Sequence, residues 1–271
     1  MVSSSSGSEG RSVRHSERPR EQLYLFTVEA IRELDRLAVS EFGLSGAVLM
    51  ENAARSVAAE ALRLLEPRRA HQRVMIFCGP GNNGGDGLAA ARHLHNDHLA
   101  VEIILAFDPA ASRLTDEAAM NLRCCRRMGL SLIEIADTAA AGQFAAADGP
   151  APDLIIDALL GTGSRAAPRP PMDRIIEWIN ASPAPVLSID VPSGLDAQTG
   201  RTPGACVRAE VTVALVGIKS GLLEFDAQPC VGEIVIGDIG APRELCERLG
   251  QRLAVEAEAP RTQPRRRRRP G

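Results

Sequence analysis

A chain of 271 residues can bury a full hydrophobic core and falls in the range of one large α/β domain or two small ones. Its 45% hydrophobic and 24% charged residues are an ordinary globular composition, which excludes global disorder. No apolar stretch approaches the roughly 20 residues of a membrane-spanning helix, and the first twenty residues lack the hydrophobic core of a signal peptide, so no membrane is expected and the expected location is cytoplasmic.

The net charge of −3 conceals an asymmetry. Residues 1–20 hold four Arg and two Glu, residues 261–271 hold six Arg and no acid, and residues 21–260 carry 21 basic against 32 acidic side chains, net −11. The expectation is a disordered tail over 1–20, one domain over 21–258 and a disordered Arg-rich tail over 259–271. A run of five Arg can contact phosphates, but an acidic body with 3% aromatic residues argues against nucleic acid as a partner. The six cysteines show no C-x-x-C spacing, so neither a zinc site nor a disulfide framework is indicated.

From Thr27 to Leu65 apolar residues recur at helical spacing, interrupted between Gly43 and Gly46, which predicts two helices joined by a short turn. Both are amphipathic enough to form the seam of a homodimer. After Pro67, apolar runs of strand length alternate with helical stretches: strands at 74–77, 101–107, 130–135, 153–159, 186–190, 211–217 and 233–237, and helices near 86–96, 115–128 and 172–180. This predicts an α/β fold, a three-layer sandwich of a mostly parallel sheet with helices on both faces.

In such sheets ligands bind beyond the carboxyl ends of the strands, and four polar or glycine-rich clusters follow strands directly. The first, CGPGNNGGDG at 78–87, holds five glycines in ten residues. It reads either as a turn with Asp86 capping the next helix or as a loop whose N–H groups approach a phosphate. It is neither a Walker A loop nor a dinucleotide fingerprint. The second surrounds Asp157 in an apolar strand; with Asn83 and Ser193 it suggests either a satisfied loop anchor or an oxygen-lined site for a hard cation of low charge. The third, DVPSG at 190–194, puts Asp190 at a strand end, where a carboxylate at the mouth of a cleft is suited to acid–base work. The fourth holds Lys219, the single lysine beside 30 arginines, which hints that a compact ammonium is needed there.

Together, GPGNNGGDG at 79–87, DALLGTG at 157–163, DVPSGLDAQTG at 190–200, GIKSGLL at 217–223 and LMENAAR at 49–55 closely resemble the YjeF N-terminal domain family, the NAD(P)H-hydrate epimerases. The resemblance runs from about Thr27 to about Gly240. It implies a Rossmann-like fold and the interconversion of the R and S forms of hydrated NADH and NADPH (NADHX and NADPHX) at C6 of the nicotinamide ring. By motif, it implies substrate contacts at Asn82, Asn83, Gly84, Gly85 and Asp86, along Gly161, Thr162, Gly163, Ser164, Arg165, Ala166 and Ala167, and at Asp190. It implies a potassium ion on Asn83, Asp157 and Ser193. Asp190 is the expected acid–base group, with Lys219 as an electrostatic helper. A separate NAD(P)H-hydrate dehydratase is the expected functional partner. The alternative is a noncatalytic module of the same type, binding partners through the Arg-rich tail; retention of Asn83, Asp86, Asp157, Asp190 and Ser193 favours the enzyme.

Overall fold

The computed structural model describes residues 13–15, 23–67, 71–147 and 149–253. Eight parallel strands form the main sheet: β1 (Val13–His15), β3 (Arg73–Cys78), β4 (Ala100–Leu105), β5 (Ser131–Glu134), β6 (Leu154–Ala158), β7 (Val186–Ile189), β8 (Val211–Leu215) and β10 (Glu233–Gly237). Their spatial order is β1-β10-β8-β7-β6-β3-β4-β5. A small second sheet pairs β2 (Leu23–Phe26) antiparallel with β11 (Gln251–Leu253) and parallel with β9 (Ile218–Lys219).

The helices are α1 (Val28–Ser40), α2 (Gly46–Leu64), α3 (Asn82–Asn96), α4 (Asp116–Arg127), α5 (Thr138–Ala146), α6 (Met172–Ala181), the single turn α7 (Gln228–Val231) and α8 (Arg243–Leu249). Strand alternation divides the core between the two faces. On β3, Val74, Ile76 and Cys78 join one cluster with Leu88 and Leu94 of α3 and Ala54, Val57 and Ala61 of α2. Met75 and Phe77 join the other, with Ile175, Ile176 and Ile179 of α6. There Phe77, Phe144 and Trp178 stack with ring centroids 5.0–6.0 Å apart. Burying each such large apolar side chain is worth about 1.5–3 kcal/mol, which is what fixes helices to both faces. The expected layered α/β sandwich is therefore the observed one.

Several expectations need adjustment. Three residues of the segment expected as a disordered tail, Val13–His15, form β1, because β10 would otherwise leave a parallel edge unpaired. The rest of 1–20 and the whole of 259–271 lie outside the described residues. The glycine-rich helix expected near 86–96 starts at Asn82, so Asp86 stands inside the helix and does not cap it. The apolar residues of α1 and α2 are mostly spent on the chain's own core, Leu34, Leu37, Ala53 and Val57 among them. Val39, Phe42 and Val48 stay exposed around the turn between the helices.

Strand order sets the place of the site. From β3 the sheet grows one way through β4 and β5, and from β6 the other way through β7, β8 and β10. The crossovers reverse between β3 and β6, and a crevice opens at such a switch point beyond the strand ends.

Candidate active site

At that switch point lies a cleft of about 730 Å³. The loop after β3, the loop after β6, Asp190 after β7 and Lys219 on β9 line it from the strand ends, and α1 and the start of α2 form another wall. All four sequence clusters meet at one rim and line the cleft, the second through Leu159 to Ser164, while Asp157 and Ser193 are not among its lining residues.

The glycine loop is built for close backbone approach. Gly79 N–H donates to the Ala158 carbonyl at 3.0 Å, tying the β3 loop to β6. A Cβ at Gly84 would stand 1.8 Å from the Gly79 carbonyl oxygen, and one at Gly79 would stand 1.9 Å from that of Leu159. Four helices are capped by side chains: Thr27 caps α1, Ser45 caps α2, Thr115 caps α4 and Asp137 caps α5. Like α6, α3 begins with no side-chain cap, after Gly81, but it does so at the rim of the cleft. Its first N–H groups and its dipole therefore face the cleft, an arrangement that favours an anionic group.

Asp157 is fully buried and accepts four hydrogen bonds. Oδ1 takes Ser193 Oγ–H at 2.6 Å and Leu159 N–H at 3.2 Å; Oδ2 takes Ser188 Oγ–H and Ser193 N–H, each at 2.9 Å. Burial raises its carboxyl above the ordinary range, while these donors, Ser193 foremost, pull it back. Nearby, Asn83 donates from Nδ2 to the Leu160 carbonyl at 2.9 Å, and Leu160 N–H donates to Ser193 Oγ at 2.9 Å. Asn83 Oδ1 is buried with no hydrogen-bond partner among the described residues. Such an orphan costs about 1–3 kcal/mol, which an unseen partner on the oxygen would recover. Asn83, Ser193 and Asp157 thus present one orphan amide oxygen, a hydroxyl and one carboxylate around Leu160, all oxygens, a set that fits a hard monovalent cation.

Lys219 is entirely enclosed and Asp190 nearly so, with 13% of its side chain accessible. Lys219 Nζ donates to Asp190 Oδ1 at 2.5 Å, to the Leu215 carbonyl at 2.6 Å and to the Gly217 carbonyl at 3.3 Å, which uses all three ammonium protons. Asp190 and Val216 both hold φ of +68°. For a β-branched valine this is a strained conformation that only surrounding structure can impose. Here Asp190 N–H is tied to the Val213 carbonyl and Val216 N–H to the Gly237 carbonyl.

Two further carboxyls face this pair. Asp86 is buried on α3, and burial first, then Asp190 and Asp35, push its carboxyl well above the ordinary range against the opposing pull of Lys219. Asp35 on α1 was not singled out in the sequence. Its surface reaches water, yet the crowded walls of the cleft push its carboxyl up to about 6, Lys219 opposing that shift and Asp190 adding to it.

Of the sequence-derived substrate residues, Asn82, Asn83, Asp86, Gly161, Thr162, Gly163, Ser164 and Asp190 line the cleft. Gly84 and Gly85 are instead contact points, against Gly79 and against Met50. Arg165 turns outward to Glu29 at 2.5 Å, and Ala167 packs near Gly204, so Arg165, Ala166 and Ala167 do not line the cleft. Sequence reasoning missed Arg32 and Asp35, because an amphipathic helix shows no mark of which polar residues meet a cleft.

A family model described as YjeF-related protein N-terminus matches residues 46–221. The chain belongs to this family. Among its relatives in the YjeF-related family, an NAD(P)H-hydrate epimerase of Dehalogenimonas lykanthroporepellens is 39% identical over 224 residues, 83% of this chain and 85% of the relative. A bifunctional NAD(P)H-hydrate repair enzyme Nnr of Hyperthermus butylicus is 44% identical over 203 residues, 74% of this chain but 36% of the relative, so the chain spans about a third of that protein. The crystal structure of the yeast protein ynu0 superposes with a TM-score of 0.70 at 24% identity, covering 86% of this chain and 96% of the yeast chain, and supports the fold.

Proposed function

We infer that this chain is an isomerase, an NAD(P)H-hydrate epimerase that interconverts the R and S forms of hydrated NADH and NADPH. The relatives named as epimerases match it across most of both chains. The observation that carries the mechanism is the meeting, in one cleft, of the uncapped start of α3 with the enclosed Asp190–Lys219 pair.

The hydroxyl at C6 and the ring nitrogen form a hemiaminal. When the hydroxyl is protonated, the nitrogen lone pair expels it as water and leaves a planar iminium, which water can attack from either face. In this reading the α3 N-terminus, with Asn82 and the Gly161–Ser164 loop, holds the pyrophosphate. Asp190, positioned by Lys219, stands at the reacting carbon, where its negative charge favours the iminium and its oxygen can exchange a proton. General acid–base help of this kind is worth about 10²–10⁴-fold.

A potassium ion on Asn83, Asp157 and Ser193 belongs to the same proposal; it would supply fixed positive charge beside the phosphate groups. The orphan Asn83 Oδ1 supports it. The expected partner is an S-specific dehydratase, on a separate chain or joined to this domain as the longer bifunctional relatives suggest. A cytoplasmic setting suits six cysteines that are all free thiols. Among the described residues no helix is long and apolar enough to cross a membrane. A homodimer would draw on the exposed Val39, Phe42 and Val48.

The test is conversion of purified R-NADHX in the presence of excess S-specific dehydratase, in potassium and then in tetramethylammonium. Loss of the R form well above its spontaneous rate is the expected result, faster in potassium. No acceleration by folded protein would overturn the reading in favour of a noncatalytic binding module.

A further inference from the structure

The cleft holds a carboxyl that the mechanism above leaves idle. Asp35 lines it from α1, in company with Arg32 of the same helix, Asp86 of α3, Glu117 of α4, Asp190 after β7 and Lys219 of β9. Among the described residues its side chain makes no hydrogen bond and no ion pair. Other acids of α1 are engaged, Glu33 with Arg36 at 2.7 Å and Glu29 with Arg165 at 2.5 Å. Leu34 and Leu37 are sunk in the core on either side of it, so the backbone that carries Asp35 is fixed.

The reaction has work for two carboxyls. Epimerisation removes a hydroxyl from one face of the nicotinamide ring and adds one to the other, so the proton is given and taken at different places. Asp190 is ion-paired to a fully enclosed ammonium and keeps part of its carboxylate open to the cleft, so it meets the substrate as a hydrogen-bond acceptor, the geometry needed to receive the proton of an incoming water. Asp35 reaches the same space from another wall and has no cation bound to it.

Resting on the epimerase reading, we propose that Asp35 is a second catalytic carboxyl, giving its proton to the C6 hydroxyl as that group leaves while Asp190 takes the proton of the incoming water. The C6–O bond breaks with both electrons going to oxygen, Asp35 supplies the proton that makes it water, and the ring nitrogen lone pair forms the C6=N bond. Water then adds to C6, the C=N pair returns to nitrogen, and the released proton passes to Asp190. In the reverse direction the two carboxyls exchange roles. Between turnovers Asp190 releases its proton to water in the open cleft and Asp35 takes one up from it, which resets both carboxyls.

Crowding in the cleft supports this assignment, since a carboxyl that releases its proton near pH 6 still holds it in part at neutrality, where a general acid must work. Arg248 of α8, which packs against α1, is paired with Glu41 and does not line the cleft.

The experiment compares the wild-type chain with Asp35→Asn, Asp35→Glu and, as a control on the same helix, Glu33→Gln, using R-NADHX with excess dehydratase and subtracting the spontaneous rate. Asp35→Asn is expected to lower kcat by about 10²-fold or more with KM within a few-fold, Asp35→Glu to restore part of it, and Glu33→Gln to change neither. Wild-type kcat should fall as pH rises through about 6, where Asp35 loses its proton, and that limb should vanish in Asp35→Asn. A folded Asp35→Asn variant with wild-type kcat and an unchanged limb overturns the proposal. Should that variant fail to fold, Asp35→Glu decides, because an unmoved limb there also overturns it. A wild-type chain no faster than the spontaneous reaction overturns the epimerase reading itself, whereas a fast wild type beside a fast Asp35→Asn overturns only the role of Asp35.

Discussion

Lys219 and Asp190 are joined at 2.5 Å, yet they are buried unequally: the lysine is wholly enclosed and the aspartate keeps 13% of its side chain in contact with the cleft. The inequality makes the pair lopsided in what each partner can lose. Asp190→Ala would leave an ammonium with only the Leu215 and Gly217 carbonyls, at a cost of about 3–5 kcal/mol. Lys219→Met would leave a carboxylate able to turn toward water, and should cost clearly less. Urea unfolding of the two variants checks this; equal losses would mean that enclosure does not govern the pair.

For activity, the milder Asp190→Asn keeps an acceptor for Lys219 while removing the exchangeable proton. Turnover of R-NADHX should fall by about 10²–10⁴-fold with KM little changed. A variant of wild-type kcat would remove Asp190 from the chemistry and leave it a positioning residue for the Lys219 side chain.

Much of this site was legible before the fold was known, for reasons that differ from residue to residue. Asp157 and Asp190 stood out because a carboxylate inside or ending an apolar strand needs an explanation, and Lys219 because arginine fills every other basic position. Asp35 carried no such mark: its spacing places it on the polar stripe of an amphipathic helix, and only the packing of α1 over the strand ends turns that stripe into a cleft wall. The start of α3 was hidden by Gly84 and Gly85, which read as loop. In the fold, the near contact with the Gly79 carbonyl is what excludes any side chain at Gly84. The small sheet of β2, β9 and β11 joins segments more than 190 residues apart, a pairing no local pattern announces.

That near contact makes Gly84 a sensitive position. In Gly84→Ala the new methyl would meet backbone, not a flexible side chain, at 1.8 Å, so the start of α3 must shift. Stability should fall by at least about 2 kcal/mol in spite of the better helix propensity of alanine, and substrate binding should weaken with it. Thermal unfolding together with KM measures both, and a stabilised variant would show that the turn can relax.

Asp157 anchors the loops after β6 and β7 through four accepted hydrogen bonds. Asp157→Ala would orphan Leu159 N–H, Ser193 N–H and the Ser188 hydroxyl together, a loss of about 3–5 kcal/mol if each buried donor costs about 1 kcal/mol or somewhat more. The same variant should lose the stabilisation by potassium, which for a single site at ten times its Kd amounts to about 1.4 kcal/mol. Unfolding in potassium and in tetramethylammonium separates the two effects: an unchanged cation response in Asp157→Ala would place the ion elsewhere.

Asp86 allows a test in which the direction with pH is fixed by its burial. Its folded carboxyl titrates well above the ordinary value of 3.8, because burial, Asp190 and Asp35 all disfavour the charge. Between those two values the folded chain keeps a proton that the unfolded chain releases, so the contribution of Asp86 is fully present below about 3.8 and is lost as pH rises from there toward its folded pKa. Asp86→Asn keeps the size and the neutral form at every pH. Its Tm relative to wild type should therefore climb as pH is raised from 5 to 8, even while the variant binds the nucleotide less well through loss of a cleft oxygen. A Tm difference that stays flat across that range would mean that the carboxylate is accommodated in the folded cleft at little cost, and that the α3 N-terminus and Lys219 together outweigh its burial.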